Sequence, residues 1–146
     1  MPLSPSGKRI LAAALFAAGV AMPAIATVSV PTEFILGRWQ GTSICTKVPG
    51  NESCHDETVR YAFARSVQSV NALTVNAERL VNGQWVSMGE LEFHYSAAAN
   101  RWECEFQGRV RALWTFAAKG DDLTGTLFIL PDRWVARNVK AKRAGN

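Results

Sequence analysis

Histidine is nearly missing from this chain: His55 and His94 are the two among 146 residues. A serine–histidine–aspartate relay, or a zinc site built on imidazoles, has little to draw on. The sequence also lacks the HExxH pair, the glycine-rich loop that cradles phosphate and the Gly-x-Ser-x-Gly elbow of a nucleophilic serine. No apolar run approaches the roughly 20 residues that a membrane-crossing helix needs. Beyond residue 26 no stretch of roughly 11 residues keeps the 3.6-residue period of an amphipathic helix. These absences argue against a helical bundle, a membrane-spanning helix and the commoner hydrolase signatures. We read the chain as a non-enzyme, with no cofactor and no metal.

At the front, Lys8 and Arg9 precede a 13-residue small and apolar run, Ile10 to Met22, and then Pro23-Ala24-Ile25-Ala26. A charged start, a short apolar stretch and an A-x-A ending are the parts of a secretory signal peptide. We expect residues 1–26 to be cleaved and one domain to occupy 27–146, in the periplasm or outside the cell, with no stable membrane insertion afterwards. Without Lys8 and Arg9, 14 basic residues face 12 acidic ones, a net charge near +2. The basic excess gathers at the end (Arg133, Arg137, Lys140, Lys142, Arg143), where it reads as the solvated face of a last strand. Nucleic acid is not an expected partner, because a binding face would need broader positive charge and stacking aromatics.

What is present is alternation. Glu33–Cys45, Glu57–Val67, Leu73–Leu80, Gln84–Ser96, Arg101–Gln107, Arg109–Ala117, Leu123–Leu130 and Arg133–Arg143 each swap apolar and polar residues with period two, or form short apolar runs. That is the signature of strands with one dry face. Asn82-Gly83 is a two-residue hairpin signal, Lys119-Gly120-Asp121-Asp122 a second turn, and Gly89 interrupts the phase of its strand as a bulge does. About eight strands on short connections predict an all-β, up-and-down antiparallel barrel. A flat sandwich of the same strands is the competing layout.

The cysteines fit an oxidising compartment. Cys45 ends the first strand and Cys54 lies in the loop after it, so a Cys45–Cys54 disulfide would staple that loop. Cys104, between Trp102 and Phe106 on the inward phase, reads as a buried free thiol. Cys54-His55-Asp56-Glu57 collects four metal-ligand types, but neighbours in sequence point apart and the disulfide removes the thiolate, so we read a polar loop. His94 shares its face with Glu90 and Glu92 and is read as exposed. Arg137 falls on the apolar phase of the last strand. In a closed barrel that strand adjoins the first, so Arg137 is expected to stack on Trp39.

Phe34-Ile35-Leu36-Gly37-Arg38-Trp39 resembles the first-strand Gly-x-Trp signature of the lipocalin-like (calycin) barrels. Arg137 stands where that resemblance places the arginine that packs on the tryptophan, giving Gly37, Trp39 and Arg137 structural roles. The early disulfide, the length and the basic last strand are similar also to the periplasmic eight-stranded barrels that inhibit bacterial metalloproteases. Leu123-Thr124-Gly125-Thr126 resembles a tract of the avidins. The resemblances imply two functions: a carrier of a small apolar ligand, or a protein-binding module such as a periplasmic protease inhibitor. In the carrier, the inward residues Tyr61, Phe63, Phe93, Tyr95, Trp102, Trp114 and Phe116 would line the ligand site. Together with Trp39 and Phe106 these rings are expected to fill much of the interior.

Overall fold

The computed structural model describes residues 21–24, 32 and 34–145. The predicted leader lies outside these residues except for 21–24. The rest is eight antiparallel strands: β1 (Gly37–Cys45), β2 (Glu57–Arg65), β3 (Ala72–Val81), β4 (Gln84–Ser96), β5 (Arg101–Gln107), β6 (Arg111–Lys119), β7 (Asp122–Ile129) and β8 (Trp134–Arg143). They follow one another around a closed up-and-down barrel, β8 returning to pair with β1. The alternation did what a pleated strand requires: in β5, Trp102 and Cys104 are buried while Arg101, Glu103 and Glu105 lie on the wetter face. The sandwich layout is excluded by the β1–β8 ladder, which runs from Trp39–Arg143 to Cys45–Arg137.

Local signals set the corners. Asn82 and Gly83 both take positive φ, 49° and 77°, the pattern of a type I′ turn, and they join β3 to β4. The β3–β4 ladder shifts register after the Ala77–Gly89 pair, leaving Met88 as the extra residue of a bulge beside Gly89. Where the barrel closes, Gly41 sits so tightly on the backbone of Lys140 and Ala141 that a Cβ would collide with it. Only glycine lets β1 and β8 approach this closely.

One end of the barrel is sealed by the segment before β1. Ile35 is buried inside the barrel end, and its carbonyl accepts the Trp39 Nε1–H at 2.8 Å. The first strand therefore begins at Gly37 rather than at Glu33, because residues 34–36 turn across the opening. Arg143 completes the seal. Its guanidinium lies 4.2 Å from the centre of the Trp39 ring and donates to the carbonyls of Leu36 and Phe34, both at 2.8 Å. The expected Trp39–Arg137 stack is thus corrected to Trp39–Arg143. Arg137 pairs with Cys45, six residues along β1 from Trp39 and about 20 Å away at the rise of a strand.

The other end is covered by the β1–β2 loop, 46–56. Cys45 and Cys54 form the expected disulfide, with Cα atoms 6.1 Å apart. Asn51 Nδ2 donates to the carbonyls of Ala136 and Thr46, and Asp56 Oδ1 accepts the Cys45 N–H. Gly50 is thereby held against Val110 and Ile129.

Two outcomes are expected. Arg143→Gln should destabilise the protein by about 1–3 kcal/mol, through loss of a cation–π contact and two charge-assisted hydrogen bonds. Urea unfolding measures this, and the Trp39 indole N–H resonance should move in R143Q but not in R137Q. Replacing Cys45 and Cys54 together by serine should cost about 2–3 kcal/mol, the loop-closure value for so short a span. Equal urea midpoints with and without the disulfide would contradict that.

Candidate functional site

Phe116 is the hub of the interior. Its ring centre lies 5.0 Å from Tyr61, 5.3 Å from Phe63, 5.4 Å from Phe93 and 5.5 Å from Trp114, the last stacked nearly parallel. The ring lies over Gly125, where a Cβ would come within 2.6 Å of it. Phe116, Phe93 and Trp39 are almost fully buried, so the expected packing of inward aromatics holds around this hub.

It does not fill the interior. Beside the hub is a cavity of about 290 Å³. Its walls come from Tyr61 of β2, Val75 and Ala77 of β3, Leu91 and Phe93 of β4, Phe106 of β5, and Trp114 and Phe116 of β6. Met88, Gly89 and Glu90, at the β4 bulge, complete its rim. Its size is at the lower bound of small-molecule sites, which span ~300–1,000 Å³.

The cavity owes its place to a defect in the barrel wall. β4 has 13 residues and β5 seven, yet their ladder holds three pairs, from His94–Glu103 to Ser96–Arg101. β4 before His94 and β5 after Glu103 continue without that ladder. A bulge bends its strand, and the Met88 bulge lies on the stretch of β4 that has left β5. The cavity lies behind this slot, with Met88 and Gly89 on one side and Phe106 on the other.

Of the seven residues expected to line a ligand site, Tyr61, Phe93, Trp114 and Phe116 do border this cavity. Phe63 packs behind Phe116. Tyr95 and Trp102 pack on each other at 5.3 Å and border a separate cleft at the sealed end, with Phe34 and Ile35. Val75, Ala77 and Leu91 also line the cavity; their inward phase was readable, but nothing in the sequence singled them out from ordinary core.

Tyr61 borders the cavity and Glu90 stands at its rim. Tyr61 is 3 % exposed, and its buried hydroxyl finds no hydrogen-bond partner among the described residues. Burial pushes its phenol well above the usual range; the Arg137 charge opposes that shift and the Glu57 charge adds to it. The hydroxyl is therefore a protonated donor at any ordinary pH. Glu57, two pairs of residues along β2 on the same face, opens β2, where the alternation starts that strand, and its side chain turns inward. Its carboxylate receives Arg79 at 2.9 Å and Arg137 at 3.4 Å, and Arg137 also donates to Ser43 Oγ at 3.1 Å and to the His55 carbonyl at 3.1 Å.

The other candidates are placed as surface or structural groups. His55 is largely exposed, 3.8 Å from Glu57; His94 is exposed beside Glu92 at 3.1 Å. Among the described residues no group of three or more His, Cys, Asp and Glu gathers as a metal site requires. Cys104 is a buried free thiol whose pKa burial raises, with the Glu92 charge adding to it. Among the described residues, no helix is long and apolar enough to cross a membrane.

Comparison of the chain with protein-family models, with curated proteins and with solved structures finds no match. The closed eight-stranded antiparallel architecture is consistent with a lipocalin-like barrel.

Cys104 should resist a water-soluble disulfide reagent in the native protein and react promptly once urea unfolds it, since neither exposure nor a lowered pKa favours its thiolate. Stoichiometric labelling of native protein within the mixing time would contradict this placement.

Proposed function

We propose that this protein is a non-enzymatic, lipocalin-like binding protein that carries a small, largely apolar molecule inside its barrel. The observation that carries the reading is the cavity of about 290 Å³, walled by apolar side chains and reached through the β4–β5 slot. Concave apolar sites with few polar groups are where small ligands bind, and a barrel mouth is a common place for them. The disulfide supports a working place in an oxidising compartment, periplasmic or extracellular.

A second reading, a protein-binding module such as a periplasmic protease inhibitor, has its own support. The tip of the β3–β4 hairpin exposes Leu80, Val81, Val86 and Met88, each by about 40 %. Clustered exposed apolar side chains are a mark of contact surfaces. Native mass spectrometry of protein purified from its own host separates the two readings: a retained small molecule supports the carrier and a retained protease the inhibitor.

The direct test uses N-phenyl-1-naphthylamine, a neutral apolar dye that brightens in dry sites. Wild-type protein should brighten it saturably. Ala77→Phe, which puts a ring into the cavity, should weaken binding by at least about tenfold, the equivalent of ~1.4 kcal/mol. No saturable signal, or an unchanged one in A77F, would contradict the carrier reading.

A further inference from the structure

We propose that the free edge of β4 docks an extended, cationic segment of another polypeptide, which joins the barrel wall as an added strand. The inference goes beyond the carrier reading and does not need it. The first observation is the edge itself. β4 pairs with β3 from Ala72–His94 to Val81–Gln84, but its ladder to β5 ends at His94–Glu103. Among the described residues no strand pairs with residues 84–93 on that side. A strand directs backbone N–H and C=O groups to both of its edges, so this stretch presents a row that a further strand would satisfy. Recognition by strand addition draws its affinity from such main-chain bonds and its specificity from pockets for alternate side chains.

The second observation is what lies on either face of that edge. An added strand would turn alternate side chains inward and outward. Inward they meet the cavity of about 290 Å³, which has Leu91 and Phe93 in its wall. Outward they meet Glu90 and Glu92 of β4, and Glu103 and Glu105 of β5. Arg101 and Arg111 answer Glu103 and Glu105, and Ser66 and Ser69 donate to Glu92. Four carboxylates thus stand against two guanidiniums, and the edge is flanked by excess negative charge. That charge selects the occupant. Charged side chains and a bulge on an edge deter a like edge from pairing with it, and a second copy would arrive with the same glutamates. A segment with basic residues at every second position and apolar ones between sets cations over the glutamates and apolar side chains toward the cavity.

The test titrates ¹⁵N-labelled protein with the peptide acetyl-Lys-Val-Lys-Val-Lys-Val-amide and follows the amide resonances of residues 84–93. These should shift saturably, and the counterpart with glutamate in place of lysine should bind far more weakly. Methylating every backbone nitrogen of the peptide should weaken it by at least about tenfold, since its main-chain donors are then gone. Glu90→Lys, at an exposed position, should weaken it about fivefold, and added salt should also weaken it. Equal binding of the glutamate peptide, indifference to methylation, or shifts that spare β4 would overturn the proposal. So would slow hydrogen exchange, in the free protein, of the 84–93 amides that face away from β3: in a monomer this chain would already cover the edge, and in a dimer a second copy would. Dye binding without peptide binding would overturn the docking edge and leave the carrier; peptide binding without dye binding would do the reverse.

Discussion

Everything inside this protein depends on β8 coming back to lie against β1. An open eight-stranded sheet would leave two edges unpaired and its apolar face wet; closure removes both problems at once. The ladder between the two terminal strands is the join. Gly41 gives the backbones room to meet, and the Trp39–Arg143 contact clamps one end of the seam to the segment that plugs the barrel. Arg143 combines a ring face with two carbonyl acceptors, which a planar guanidinium can satisfy together and a lysine could not. The disulfide-stapled loop does the corresponding work at the opposite end.

A wall that closes so completely elsewhere makes the gap between β4 and β5 informative. The two strands are neighbours near the sealed end and lose their ladder beyond the His94–Glu103 pair, six residues along β4 from the Met88 bulge. Behind that gap the packing stops short, although aromatic rings crowd the rest of the interior. The residues that border the cavity are ordinary core types. Tyr61 is among them, and its own hydroxyl is buried without a hydrogen-bond partner among the described residues.

Much of this could be read from the residues. Strand positions followed from alternation, the hairpin from Asn82-Gly83, the bulge from the broken phase around Gly89, and the disulfide from the positions of Cys45 and Cys54. These are local signals, each written within a few residues. The features that escaped are relations between distant segments. Which arginine covers Trp39 depends on the β1–β8 register, which runs without a shift and sets Arg143 opposite Trp39 and Arg137 opposite Cys45. Arg137 and Arg143 share the inward phase, and the sequence offers no means of ranking them without that register. The inward turn of Glu57 was hidden because its neighbours His55 and Asp56 are loop residues. The parting of β4 from β5 has no signature of its own beyond the bulge.

The closed barrel is tested most directly by cross-strand nuclear Overhauser contacts in a ¹⁵N,¹³C-labelled sample. The account predicts backbone contacts between β1 and both β2 and β8, with Gly41 meeting Val59 on one side and Ala141 on the other. Contacts of β1 with β2 alone, leaving Gly41 far from Ala141, would show an open sheet and contradict the lumen, its cavity and the binding role built on them.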